Sequence, residues 1–228
     1  MIGILAGMGP KSTGPFVDLV VEQCQAVYGA KDDMDFPHMM IYSCPTPFYI
    51  DKPINHKEME QAIITGAKRL EKTGVDFIAM PCNTAHLYID QLKEMITVPI
   101  INMVEESIKA LPQSSHRTAL LATEATVQSG IYEQGLSELE VNYIHKPHWQ
   151  TMVNQLIAAI KSEDVNVSYK LWSQLEKELD GHVDTAIIAC TDINVVSHKK
   201  WSHITLVDSA TCLARAAIHK YLSKEGKE

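Results

Sequence analysis

Val75-Asp76-Phe77-Ile78-Ala79-Met80-Pro81-Cys82-Asn83-Thr84 and Val183-Asp184-Thr185-Ala186-Ile187-Ile188-Ala189-Cys190-Thr191-Asp192 are one pattern written twice. Each reads Val-Asp, five residues, Cys, then a small polar pair. Each follows an amphipathic stretch carrying Leu-Glu-Lys, at Leu70 to Lys72 and at Leu175 to Lys177. Each precedes a further apolar run, Val98 to Asn102 in one case and Ile204 to Asp208 in the other. The openings match as well. Ile2 to Ala6 runs into Gly7-Met8-Gly9-Pro10, and Thr118 to Ala122 runs into Thr123-Glu124-Ala125-Thr126.

A doubled strand–helix pattern predicts an α/β chain built of two pseudo-symmetric, parallel-sheet, flavodoxin-like domains, with the active site in the cleft between them. Short continuous apolar runs such as Ile187-Ile188-Ala189 fit strands covered on both faces. Helices are expected at 13–28, 57–73, 84–95, 104–111, 130–136, 151–161, 167–179 and 209–223. The last helix is expected to return to the first half. The domains are therefore placed at 1–101 plus 206–228, and at 102–205. The longest irregular stretch, Ser43 to His56 with Pro45, Pro47 and Pro53, reads as an active-site loop.

Composition narrows the functions. The 228 residues are 46% apolar, enough for a large core, and the net charge of −8 is spread along the chain. No basic run points to nucleic acid, and no apolar stretch is long enough to span a bilayer. The N-terminus lacks a basic start and a cleavage site, so a cytoplasmic protein is expected. Five scattered cysteines do not make a disulfide scaffold and read as free thiols.

In parallel sheets ligands bind beyond the carboxyl ends of the strands, and Cys82 and Cys190 each stand at such an end, before a helix start. Backbone N–H groups and the helix dipole there favour thiolate, and with Asn83, Thr84 and Thr191 they form a nest for a carboxylate. Two thiols facing one ligand suit inversion of a stereocentre, which needs a base on one face and an acid on the other. With an ordinary thiol pKa of about 8.5, one thiolate and one thiol coexist near neutrality. A Cys at a strand end is commonly just a small buried hydrophobe. Two at matched positions of a repeat, each followed by polar helix-start residues, weigh against that plainer account. Cys24 and Cys212 read as packing residues, and Cys44 is left open. Gly3, Gly7 and Gly9 do not complete a dinucleotide fingerprint, because Ser12 stands where its third glycine belongs. His145 and His148 lack the further ligands a zinc site needs, so no metal is expected.

These residues also carry a resemblance over essentially the whole chain. The runs Gly3-Ile4-Leu5-Ala6-Gly7-Met8-Gly9-Pro10, Met80-Pro81-Cys82-Asn83-Thr84-Ala85-His86, Pro99 to Glu105, Leu120 to Thr123, Ser129 to Tyr132, Cys190-Thr191-Asp192 and Asp208-Ser209 resemble the aspartate/glutamate racemase family. The resemblance implies two flavodoxin-like halves and racemisation without pyridoxal phosphate or any other cofactor, by two cysteines. Cys82 and Cys190 would be that pair. Asn83, Thr84 and Thr191 would hold the α-carboxylate and amine, while Met8 and Thr123 would line the pocket. The expected partners are a small-molecule amino acid and a second copy of the chain in a homodimer, with no nucleic acid and no membrane. Two other readings share the architecture: a cis–trans isomerase of a small dicarboxylate, using one Cys as nucleophile, and a catalytically weak small-acid binding homologue.

Aspartate-acting members of the family carry an Arg in the loop after the second strand and a Lys before a mid-chain helix. Here that loop reads Pro45-Thr46-Pro47-Phe48-Tyr49-Ile50-Asp51-Lys52, and the corresponding pre-helix segment reads His148-Trp149-Gln150-Thr151-Met152. Lys52 and Lys146 are the nearest cations in sequence. A desolvated side-chain carboxylate needs a cationic partner. Aspartate is therefore expected to be turned over poorly beside neutral amino acids, with Lys52→Ala depressing acidic substrates more than neutral ones. Steady-state assays on both classes check this. Efficient aspartate turnover, undiminished in Lys52→Ala, contradicts it.

Overall fold

The computed structural model describes residues 1–49 and 53–226. In chain order the elements of the first part are β1 Ile2–Ala6, α1 Thr13–Tyr28, β2 Met39–Ser43, α2 His56–Glu71, β3 Phe77–Ala79, α3 Ile89–Met95 and β4 Ile100–Ile101. Then follow α4 Met103–Lys109, β5 Arg117–Ala122, α5 Glu124–Gln128, α6 Ile131–Glu138, β6 Asn142–Tyr143, α7 Pro147–Lys161, α8 Val165–Leu179, β7 Thr185–Ala189, α9 Asn194–Ser197, β8 Thr205–Asp208 and α10 Ser209–Glu225.

The strands form two four-stranded sheets, ordered β2-β1-β3-β4 and β6-β5-β7-β8, with every pairing parallel. The second order is the first with each strand replaced by its repeat counterpart. Register repeats too: Ile2 pairs Phe77 in one sheet and Thr118 pairs Thr185 in the other. The chain divides into a unit of Met1–Met103 with Ala210–Glu228 and a unit of Val104–Ser209. β8 stays in the second sheet through Asp208, because Ile188 pairs with that residue, so the chain crosses back at 209–210 rather than at 206.

Alternation along the strands explains why both faces are covered. Ile2, Ile4 and Ala6 of β1, with Phe77 and Ala79 of β3, pack against α1 and α10 through Phe16, Val20, Leu213, Ala214 and Ile218. Leu5 and Ile78 point the other way, into α2 and α3, beside Met59, Ile63, Leu70 and Leu92. In the second unit Ala119, Leu121, Ala186 and Ile188 meet α7 and α8 through Trp149, Val153, Leu156, Trp172 and Leu175. Burying each of the Val, Leu, Ile, Phe and Met side chains among these contributes roughly 1.5–3 kcal/mol before entropy is counted.

Local chemistry sets the element ends. Asn55 caps α2 by accepting the Glu58 N–H at 3.3 Å, and Asp164 caps α8 by accepting that of Val167 at 3.1 Å. α7 begins four residues before the expected Thr151, because Pro147 occupies its first turn. The His148-to-Met152 segment is thus helix rather than pre-helix loop. β6 and α5 are short elements that periodicity did not reveal.

Gly7 leaves β1 with φ of +90°, and a Cβ there would meet the Cys44 backbone nitrogen at 2.5 Å and carbonyl oxygen at 2.8 Å. Both the conformation and the contact require glycine. Gly7→Ala is expected to cost at least about 2 kcal/mol, read from denaturant midpoints. A stability equal to wild type would show that this loop yields freely.

Candidate active site

Cys82 follows the end of β3 by way of Met80 and Pro81, and its N–H donates to the Met80 carbonyl at 2.8 Å. The thiol-bearing residue is 9% exposed, and Asn83 and Thr84 beside it are buried. Ile4 is in register with Ala79, so the loops that carry Gly7 and Cys82 leave the sheet at the same edge. Met8 accordingly joins Cys82 and Cys44 in one apolar cluster. The loop that carries Met8 is closed by the Gly7 N–H, which donates to the Thr13 hydroxyl at 3.2 Å, and by the Ser12 hydroxyl, which donates to the Gly9 carbonyl at 2.8 Å.

The second unit repeats this placement. Ala122 is in register with Ala189, so Thr123 and Cys190 are the next residues out on neighbouring strands. Cys190 is 8% exposed and extended, with φ −142° and ψ 116°. Thr123 caps α5 and its hydroxyl lies 3.0 Å from that of Thr126. Thr191 opens the following turn, whose Ile193 N–H donates to the Cys190 carbonyl at 3.0 Å.

One expectation is corrected in detail. Neither thiol stands at the head of an α-helix. A 3-10 helix follows each, Thr84–Tyr88 after the first and Thr191–Ile193 after the second, and α3 and α9 begin only at Ile89 and Asn194. The aligned dipole behind each thiol is that of a tight turn.

Several further polar groups flank the turns. His86 is buried, with Nδ1 2.8 Å from the Cys82 carbonyl and Nε2 accepting the Met103 N–H at 3.0 Å. Lys161, at the end of α7, pairs with Asp192 at 3.5 Å, two residues past Cys190. Gln150 donates to the Ala122 carbonyl at 3.0 Å, beside Thr123. A sequence signal existed for His86, which lies one turn beyond Cys82, but not for contacts between distant elements. Lys52 lies outside the described residues. Lys146 holds its ammonium over the Trp149 ring, 4.6 Å from the centroid.

Other thiols and polar clusters are accounted for elsewhere. Burial pushes the Cys24 thiol up, with Tyr28 hydrogen bonding opposing, and it sits in the core between α1 and the first sheet. Burial likewise pushes up Cys44, against a smaller pull from Arg69. Cys44 borders an open cavity of about 630 Å³ with Tyr42, Gln61, Thr65 and Arg69, which contains neither Cys82 nor Cys190. Among the described residues no group of three or more His, Cys, Asp or Glu is placed to hold a metal ion, and His148 instead lies 3.5 Å from Glu178. No helix among them is long and apolar enough to cross a membrane.

Comparison with known proteins agrees with this layout. The family model for Asp/Glu/hydantoin racemases matches residues 5–217. The broad specificity amino-acid racemase RacX of Bacillus subtilis is 53% identical over 224 residues, covering 98% of this chain and 99% of that protein. The structure of Picrophilus torridus aspartate racemase superposes with a TM-score of 0.82 at 30% identity, over 96% of this chain and 93% of that one. An aspartate racemase homologue from Pyrococcus horikoshii, at 22% identity and TM-score 0.78 over 96% and 97%, shares the fold.

Burial disfavours the thiolates of Cys24 and Cys44, so they should alkylate slowly. After brief iodoacetamide treatment of the native protein at pH 8, mass spectrometry should find both unlabelled. Rapid labelling of Cys44 would mean that its site opens.

Proposed function

The chain belongs to the Asp/Glu/hydantoin racemase family, and from that premise we propose that it racemises amino acids without a cofactor, using Cys82 and Cys190 as paired acid and base. The observation that carries this reading is the matched setting of the two cysteines. Each follows its Val-Asp by the same five residues, beyond the ends of corresponding strands in two sheets with the same order. Each unit would supply one half of the racemase.

In one direction the Cys82 thiolate takes the α-proton and the Cα–H electron pair passes into the carboxylate as an enediolate. The Cys190 thiol then returns a proton to the opposite face and becomes the thiolate. The free enzyme is left ready for the other enantiomer, so the two directions are equivalent in kind. Asn83, Thr84 and Thr191 hold the α-carboxylate and amine, and Met8 and Thr123 line the pocket. Holding the carboxylate among donors stabilises the charge that develops there.

Two features favour a substrate range wider than aspartate and glutamate. The relative that shares 53% of its residues is described as broad in specificity. The loop after β2 carries Phe48 and Tyr49 and no Arg. We read the enzyme as accepting several neutral or larger amino acids, in the cytoplasm, as a homodimer whose mass size-exclusion with light scattering would report.

The test is α-hydrogen exchange in D₂O across the common amino acids, with exhaustively dialysed, chelator-treated protein. Substrates should acquire deuterium at Cα while inverting. Cys82→Ser and Cys190→Ser should each lower racemisation by about 10²–10⁴-fold with the fold intact by circular dichroism. Full activity in either variant, or activity that returns only with pyridoxal phosphate or zinc, overturns the reading.

A further inference from the structure

In both units the residue four positions beyond the thiol reaches across to the exit of the neighbouring strand. His86 stands in that position after Cys82 and is 2% exposed. A backbone N–H can only donate, so the Met103 bond makes Nε2 the unprotonated nitrogen. Nδ1 therefore carries the hydrogen and donates it to the Cys82 carbonyl. The neutral ring ties the turn after β3 to the chain leaving β4.

Asn194 occupies the same position after Cys190. Its Nδ2 donates to the Asp208 carboxylate at 3.4 Å, and Asp208 ends β8, the counterpart of β4. The amide orientation follows from its partner, because turning it would aim Oδ1 at a carboxylate. Oδ1 is then buried with no hydrogen-bond partner among the described residues. An amide in this setting is held by what it does for the turn rather than by full satisfaction of its own polar atoms.

We propose that His86 and Asn194 are equivalent positioning residues, each latching one thiol-bearing turn to the next strand's exit and so governing proton transfer at its own thiol alone. The inference rests on the two-thiol reading above. Its physical basis is that proton transfer tolerates little misplacement: a shift of about 1 Å costs on the order of 100-fold in rate. The two latches are unequal. His86 makes two bonds of ordinary length, whereas the Asn194 bond, at 3.4 Å, is longer than the ordinary range. Loss of the first should therefore cost more.

Racemisation itself cannot separate the two, since both directions pass through both thiols. Elimination of chloride from β-chloroalanine can, because it needs one base. A thiolate takes the α-proton, the C–H pair forms the C=C bond, and chloride departs with the C–Cl pair. The aminoacrylate then hydrolyses to pyruvate and ammonia, and pyruvate is read for each enantiomer. Cys82→Ser should lose elimination from one enantiomer and Cys190→Ser from the other. His86→Ala should side with Cys82→Ser, losing about 100-fold on that hand while largely retaining the other. His86→Asn, whose amide nitrogen still reaches the Cys82 carbonyl, should recover part of the loss. Asn194→Ala should side with Cys190→Ser, with a smaller loss of about tenfold. Retained activity on the opposite hand serves as the control for folding in every variant. Should His86→Ala not fold, His86→Asn and Asn194→Ala carry the test. Equal losses on both hands, while the serine variants still discriminate, overturn the latches and leave the two-thiol reading standing. Serine variants that fail to discriminate overturn that reading and the latches with it.

Discussion

Parallel strand pairing constrains everything else in this protein. A parallel sheet sends every strand out at the same edge, and its connections must return through helices on the faces. Loops from β1 and β3 therefore meet at one edge of the first sheet, and those from β5 and β7 at one edge of the second. The register sets Ile4 level with Ala79 and Ala122 level with Ala189, and Gly7 and Cys82, like Thr123 and Cys190, lie just beyond those paired ends. Which residues gather at these edges follows from the backbone before any side chain is considered.

The same pairing explains the cost and rigidity of the scaffold. Strands covered on both faces have no polar side to spare, so β1, β3 and β7 are buried along their whole length. Turns that leave such strands hold buried polar groups that need partners, and nearby side chains supply them. His86 serves the Cys82 carbonyl, Gln150 that of Ala122, and Ser209 that of Ile188 at 2.8 Å. The sheet edge is thus organised by hydrogen bonds from residues that need not touch a substrate.

Much of this was legible in the sequence because the chain states its plan twice. The Val-Asp-to-Cys spacing located both thiols, and continuous apolar runs marked the strands covered on both faces. The first helix was read to its ends, since Gly29 closes it with φ of +74°. What stayed hidden depended on distant partners or on competing signals. The polar look of His148 and Gln150 masked the first turn of α7, although Pro147 was the relevant cue. The 3-10 turns after the thiols arise where i to i+3 bonds close, as between the His86 N–H and the Asn83 carbonyl at 3.0 Å, and composition does not announce them. The Lys161–Asp192 pair joins elements about thirty residues apart, a closeness that spacing along the chain does not reveal.

The return of α10 to the first sheet bears on how the chain is made. Leu213, Ala214, Ala217 and Ile218 cover the face formed by Ile2, Ile4, Phe77 and Ala79. During synthesis at about 5–20 residues per second, the part of that face that α1 does not cover waits until α10, about a hundred residues behind β4, has left the ribosome. The unit of Val104–Ser209, continuous in sequence, has all its parts earlier than the unit whose strands emerged first. Birth order and completion order are therefore reversed: the sheet built from the first strands is the last to be closed.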